Sequence, residues 1–230
     1  YALKAIERRH VVEHQLESYV ESEVATQRKL DHPNIVRLID SFEDADCVYL
    51  LLEYAPGGQL FSLIRREKRL SEQLASGIFG DVVSALVYLH KQCVAHRDLK
   101  PENVLMFDGD RAKLADFGWC AALAHAGASR RTFCGTPDYL SPEMISSKPH
   151  DRRVDTWAAG VLLYEMLVGQ APFASGSVGE SIRRIVEADV RHPTDIAISP
   201  RALALIHAVL KVEPCDRKPL EDVLLDPWVS

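Results

Sequence analysis

Cysteine is scarce in this 230-residue chain, and what there is does not cluster. Cys47, Cys93, Cys120, Cys134 and Cys215 make five, an odd number, with no C-x-x-C pair among them. The pattern speaks against a disulfide framework or a thiolate zinc site and for a reducing compartment. The nine histidines are likewise read as holding no structural metal. Long apolar runs are missing too. The longest, Trp157 to Val168, is broken by Gly160 and Glu165; it is too short to span a bilayer and reads as a buried helix. No signal-peptide pattern opens the chain, and repeats and low-complexity tracts are absent. An excess of positive charge is lacking. The formal net charge is -6, which offers nothing to nucleic acid or to an anionic membrane surface. No G-x-x-x-x-G-K-[ST] string occurs, which excludes a P-loop phosphate site. What remains is ordinary globular composition, 47% hydrophobic and 26% charged, enough for one or two packed domains.

The most informative stretch runs from Val94 to Leu105, Val-Ala-His-Arg-Asp-Leu-Lys-Pro-Glu-Asn-Val-Leu. Two short apolar runs flank a polar centre that holds a carboxylate (Asp98), an ammonium (Lys100) and a carboxamide (Asn103). Such groups can deprotonate a hydroxyl, steady a transferring phosphoryl group and hold a metal ion. Eleven residues separate Asn103 from Ala115-Asp116-Phe117-Gly118, where Asp116 adds a metal carboxylate. The two strings match the H-R-D-L-x-x-x-N and D-F-G patterns of protein kinases. The chain resembles that family, and Lys100 gives it the look of a serine/threonine member.

The remaining elements fall into order around that loop. Tyr1 to Ile6 alternates like a strand and resembles the kinase V-A-I-K strand, so the resemblance implies that Lys4 holds the α- and β-phosphates of ATP. A helix is expected from about Glu13 to Leu30, with Leu16, Tyr19, Val20, Val24, Gln27 and Leu30 facing inward. Glu23 lies in that stripe. A buried glutamate is costly unless a cation pairs with it, and Lys4 is the candidate. Strands are expected over Ile35 to Asp40 and Cys47 to Glu53, joined by the turn Glu43 to Asp46. Ser71 should cap a long helix to His90. Val104–Met106 and Ala112–Leu114 should form a hairpin about an Asp-Gly turn. Amphipathic helices follow over Glu180 to Val190 and Ala202 to Val212, the second capped by Ser199-Pro200, and a last short helix spans Leu220 to Leu225.

The fold expected is α+β and bilobal: residues 1–52 a partial small lobe with an antiparallel sheet and one helix, 53–58 a hinge, and 59–230 a mainly helical large lobe. The glycine-rich loop of kinases does not precede the lysine strand in this sequence; the expectation is a piece of a longer protein. The resemblance implies further roles. The backbone groups of Glu53 and Ala55 meet the adenine edge, Leu52 is the gatekeeper and Leu105 floors the pocket. Asn103 and Asp116 hold Mg2+. Asp155 holds the catalytic loop through backbone N–H groups, and Glu143 pairs with Arg217.

Three stretches narrow the resemblance to the Aurora family: Trp119 after Asp-Phe-Gly, the segment Arg130 to Met144, and the hinge Leu52-Glu53-Tyr54-Ala55-Pro56-Gly57-Gly58. Pro137 and Ser141 depart from the family pattern. The likeness implies that phosphorylated Thr132 pairs with Arg97. It also implies that Glu102 and Glu165 receive an arginine two residues before the target, and that Thr136 helps select serine or threonine. Glu165 read by itself could equally be a surface helix end. An activating partner docking on the small lobe, nuclear, cytoplasmic, spindle or chromosome placement, and a mitotic role are implied by resemblance alone. A polo-like or other basic-directed kinase is the alternative, and a pseudokinase scaffold the rival of a different class.

Overall fold

The computed structural model describes residues 1–117, 121–122 and 137–229; Trp119, Thr132 and Thr136 lie outside them. Strands β1 (Ala2–Glu7), β2 (Leu38–Glu43) and β3 (Cys47–Leu52) form an antiparallel sheet in the order β1-β3-β2. Lys4 stands opposite Leu50 in the register, and Ala2 opposite Leu52. Alternation decides which face each residue takes. Ala2, Lys4 and Ile6 are half-buried, while Leu3, Ala5 and Glu7 are exposed.

The helix expected over Glu13 to Leu30 is shorter, α2 (Glu17–Gln27), and a separate helix that the pattern did not announce, α1 (Arg8–Glu13), precedes it. The break falls at Gln15, whose φ is 55°; Gln15 N and Leu16 N close the turn on Val12 O and Val11 O. A residue in the left-handed region ends a helix, and periodicity cannot register that. His10 and His14 stand one helical turn apart across this end, with rings 4.2 Å apart, and His14 Nδ1 contacts the His10 carbonyl. Along α2 and the turn beyond it Glu23, Gln27 and Leu30 are buried, and Leu16, Val20 and Val24 are half-buried.

The strand expected over Ile35 to Asp40 begins later, at Leu38. Residues 34–36 are taken by a different partner. Leu114 N donates to Asn34 O and Val36 N to Leu114 O, so this stretch joins the short strand Ala112–Leu114 of the large lobe. Non-local pairing overrides local pattern here. The turn that follows β2 is tied by Asp44, whose Oδ1 accepts from Asp46 N and Cys47 N.

Beyond β3 come α3 (Leu60–Glu67) and α4 (Glu72–Lys91), the latter capped by Ser71 Oγ at Leu74 N. Short strands follow: β4 (Val94–Ala95), β5 (Val104–Met106), β6 (Ala112–Leu114) and β7 (Ala121–Ala122), with β5 paired to β6 and β4 to β7. The β5–β6 hairpin has the expected bounds, and its turn needs left-handed backbone at Gly109 (φ 70°) and Asp110 (φ 60°). Helices α5 (Pro142–Ile145), α6 (Arg153–Val168), α7 (Val178–Glu187), α8 (Pro200–Val209) and α9 (Leu220–Leu224) complete the large lobe.

α4 and α6 are its centre. α6 is apolar nearly all round, as a helix must be when neighbours cover every side. Trp157 stacks on Phe173 with centroids 5.3 Å apart. A Cβ at Gly160 would come within 2.6 Å of Val209 Cγ2, so glycine lets α8 lie directly on α6. Among the described residues no helix is long and apolar enough to cross a membrane. The α+β expectation, a small antiparallel sheet followed by a mainly helical part, is met.

Candidate active site

The cleft between the sheet and the helical part gathers residues remote in sequence. Lys4, on the cleft face of β1, donates to Glu23 Oε1 of α2 at 2.9 Å and to Asp116 Oδ1 at 3.2 Å. Glu23 is buried and Lys4 half-buried. Burial by itself would lower the lysine's pKa; the two carboxylates more than reverse it, so it lies above its ordinary value. The ammonium is therefore fully charged at neutral pH.

Lys100 Nζ lies 2.8 Å from Asp98 Oδ2, and Asn103 Nδ2 donates to the same oxygen at 2.9 Å and to the Asp98 carbonyl at 2.7 Å. One carboxylate is thus gripped from two sides, which removes its rotational freedom. Asp155 supports the loop from beneath. Fully buried in α6, it accepts from His90 Nε2 (2.8 Å), His96 N (2.9 Å) and Arg97 N (2.8 Å). Desolvation would raise its pKa, but these donors hold it below the ordinary carboxylate value. Arg97 and Asp116 both have left-handed backbone, with φ of 66° and 62°. Such strain persists where the surroundings over-determine it. Here His96 bonds Ala115 O through Nε2 and packs edge-on against Phe117. Arg97 Nε is buried with no hydrogen-bond partner among the described residues.

Oxygen donors for a cation are present. Asn103 spends its amide nitrogen on Asp98, which leaves the carboxamide oxygen as its side-chain acceptor. Ala115 N donates to Asn103 O at 2.8 Å, which brings Asp116 next to it. A carboxylate and a carboxamide oxygen suit a hard divalent ion. No cluster of three or more His, Cys, Asp or Glu able to hold a metal exists among the described residues, so an ion bound here would complete its shell with phosphates and water.

On the other wall β3 ends at Leu52 and the chain turns through 53–58. Glu53 N donates to Arg37 O, while the Glu53 carbonyl and the Ala55 N–H bond no other described residue. Those two groups are available to an edge-on ligand. Leu52, Ala55 and Leu105 are half-buried around them. Gly57 N donates to Met106 O at 3.0 Å, and a Cβ at Gly57 would sit 2.7 Å from Met106 Cβ, so the close approach of this segment to β5 requires glycine.

Glu165 is not a surface helix end. It is half-buried, and Tyr139 Oη donates to its Oε2 at 2.7 Å. Burial raises its pKa, the Tyr139 bond opposes this, and the neighbouring carboxylates of Glu102 and Asp138 add to the rise. Three acidic groups therefore crowd one corner of the cleft. Arg217 and Glu143 pair as expected through two 2.7 Å bonds, both side chains buried. Sequence reasoning missed the roles of His90 beneath Asp155, Tyr139 on Glu165, and Lys113, which pairs with Glu53. None carries a local signal, because each becomes meaningful only through its partner.

This architecture and cleft are those of a protein kinase domain. The protein kinase domain family matches residues 1–229. The chain is 43% identical over 230 residues to an Aurora kinase of Yarrowia lipolytica, spanning 99% of this chain and 61% of the relative. It is 41% identical over 228 residues to Aurora kinase C of Mus musculus, spanning 99% and 81%. To Aurora kinase A-A of Xenopus laevis it is 45% identical over 219 residues, spanning 95% and 52%. The chain belongs to the protein kinase family and, within it, to the Aurora kinases. It spans about three fifths of the Yarrowia relative and about half of the Xenopus one.

Proposed function

We propose that this chain carries the catalytic domain of a serine/threonine protein kinase that transfers the γ-phosphoryl group of ATP to basic-flanked serine or threonine. The observation that carries the reading is the Asp98 carboxylate gripped by Lys100 and Asn103, across from Lys4 paired with both Glu23 and Asp116. In this reading residues 1–52 and 59–230 are the two lobes and 53–58 the hinge. The Glu53 carbonyl and Ala55 N–H hold the adenine edge between Leu52 and Leu105. Lys4 binds the α- and β-phosphates. Asp98 orients the substrate hydroxyl and accepts its proton, and Lys100 balances charge on the group in transfer. A divalent cation such as Mg2+, held by Asn103 and Asp116, supplies neutralisation of the phosphate charge. The chemistry asks for positioning and electrostatics rather than covalent help.

Glu102 and Glu165 receive an arginine two residues before the target. Burial first, and the nearby carboxylates of Glu102 and Asp138 after it, raise the pKa of Glu165, and a guanidinium placed among these carboxylates would relieve that crowding. The segment Arg130-Arg131-Thr132 fits the same rule. Thr132 is the activating phosphosite, with Arg97 as its partner, and Thr136 favours serine and threonine over tyrosine. A partner docking on the small lobe, nuclear and spindle- or chromosome-associated placement, and a mitotic role complete the reading by family likeness.

The test uses the full-length parent protein with MgATP beside Asp98→Asn. Phosphate on Thr132 in the wild type alone, and transfer to R-R-x-S/T peptides but not to arginine-free ones, is expected. The variant should lose activity by about 10²–10⁴-fold while still binding nucleotide. Nucleotide binding without transfer in the wild type, even with candidate activators, would sink the catalytic reading.

A further inference from the structure

Glu53 lies in the proposed hinge, and its side chain is held in a polar clamp. Its Oε1 accepts from Lys113 Nζ at 2.5 Å, and its Oε2 faces Arg37 N at 3.4 Å. Its own N–H donates to Arg37 O at 3.0 Å. Every polar atom of Glu53 except the carbonyl oxygen is thus engaged. Lys113 is held in turn, with its ammonium 4.6 Å from the centroid of the Phe107 ring and its backbone in β6 opposite Leu105. The Lys113 and Glu53 side chains are only 19% and 30% exposed, so the pair is better shielded than a surface bridge and stronger in consequence.

The clamp joins three places that the cleft depends on. Arg37 adjoins β2 in the sheet, Glu53 begins the hinge, and Lys113 stands three residues before Asp116. A peptide carbonyl can swing by rotating its flanking dihedrals. With the Glu53 side chain and N–H both fixed, that rotation is restrained.

We propose that Lys113 is a positioning residue for nucleotide binding. By clamping the Glu53 carboxylate from β6 it fixes the Glu53 carbonyl toward the adenine edge. The proposal rests on the hinge reading given above and adds to it a residue that touches no substrate. Lys113→Met removes the charge while keeping much of the aliphatic stem. It should raise both the dissociation constant for ATP or ADP and the KM for ATP by about five- to tenfold, the weight of one mispositioned hydrogen bond, with kcat within about twofold of wild type. Lys113→Arg should restore most of the affinity. So should the exchange of charges in Glu53→Lys with Lys113→Glu, since the carbonyl belongs to the backbone. A general packing defect would instead lower kcat and the melting temperature and would not be rescued by reversing the charges.

Isothermal titration of the full-length protein with ADP, together with ATP kinetics on an R-R-x-S/T peptide, reads these quantities. Unchanged nucleotide affinity and KM in a folded Lys113→Met overturn the positioning role and leave the kinase reading standing. A loss confined to kcat overturns it as well. Failure of the wild type to bind nucleotide at all overturns both.

Discussion

At the scale of single residues, the cleft is built on carboxylates whose neighbours differ. Asp98 is gripped by a cation and an amide, Asp155 by three N–H donors, and Glu165 by one phenol in an acidic corner. The same side-chain chemistry thus yields a carboxylate fixed in place, a rigid prop and a group short of positive charge. Glu165→Gln removes one charge from that corner and keeps the shape. It should cut the preference for arginine over alanine two residues before the target by about tenfold, the order of one charge-assisted hydrogen bond. Its activity on an arginine-free peptide should be nearly unchanged. Peptide-array kinetics would check this, and an intact arginine preference would remove Glu165 from the recognition scheme.

Elements in the large lobe are held together by polar contacts as well as by the core. One of them should make stability depend on pH. His192, after α7, places Nε2 2.9 Å from Nε2 of His207 on α8. Its Nδ1 is buried without a partner among the described residues. A neutral imidazole has one N–H, so the proton belongs at Nε2 of His192 and His207 accepts. Burial first, and His207 second, hold the His192 pKa below its ordinary value. The unfolded chain then binds the extra proton more readily than the folded one. Stability is full above the unfolded pKa of about 6.5 and declines as pH falls below it. The melting temperature should therefore drop between about pH 7 and pH 5.5. In His192→Gln that slope should shrink, as thermal scans across the range would show. An unaltered slope would mean that other groups carry it, His32 being the next candidate because burial lowers its pKa also.

For the molecule as a whole, the buried pair of Glu143 and Arg217 spans the large lobe. The two residues are 74 positions apart, and the Arg217 guanidinium also bonds the carbonyls of Lys211, Arg153 and Val212 and lies 5.2 Å from the Trp157 ring. Removing one partner strands a buried charge and several carbonyls. Arg217→Met should destabilise the protein by about 3–5 kcal/mol, read by chemical denaturation. Glu143→Gln with Arg217→Met should be less damaging than the single change, because no charge is left unpaired. Equal losses would show that packing rather than charge dominates.

Much of the large lobe was legible along the chain. The Ser71 and Ser199 caps, the β5–β6 hairpin and the buried α6 all follow from short-range rules, since a cap, a turn and an apolar run each act within a few residues. The loop from His96 to Asn103 and the string at Asp116 announced their chemistry through residue types at fixed spacing. Legibility failed where a distant partner or a single backbone angle decided the outcome. Gln15 in the left-handed region ended an unannounced helix at Glu13 and delayed the expected one to Glu17, and Leu114, far along the chain, drew residues 34–36 away from β2.

The sequence by itself therefore determined which groups the cleft contains, because composition and spacing are properties of the chain. It also determined the family, through strings long enough to be specific. Only the tertiary structure decided how those groups are held: Lys4 between Glu23 and Asp116, Asp155 under the loop from His96 to Asn103, Tyr139 on Glu165, Lys113 on Glu53. Each of these is an electrostatic contact over about 3 Å between residues tens of positions apart. Such contacts exist only once the core has brought the elements together.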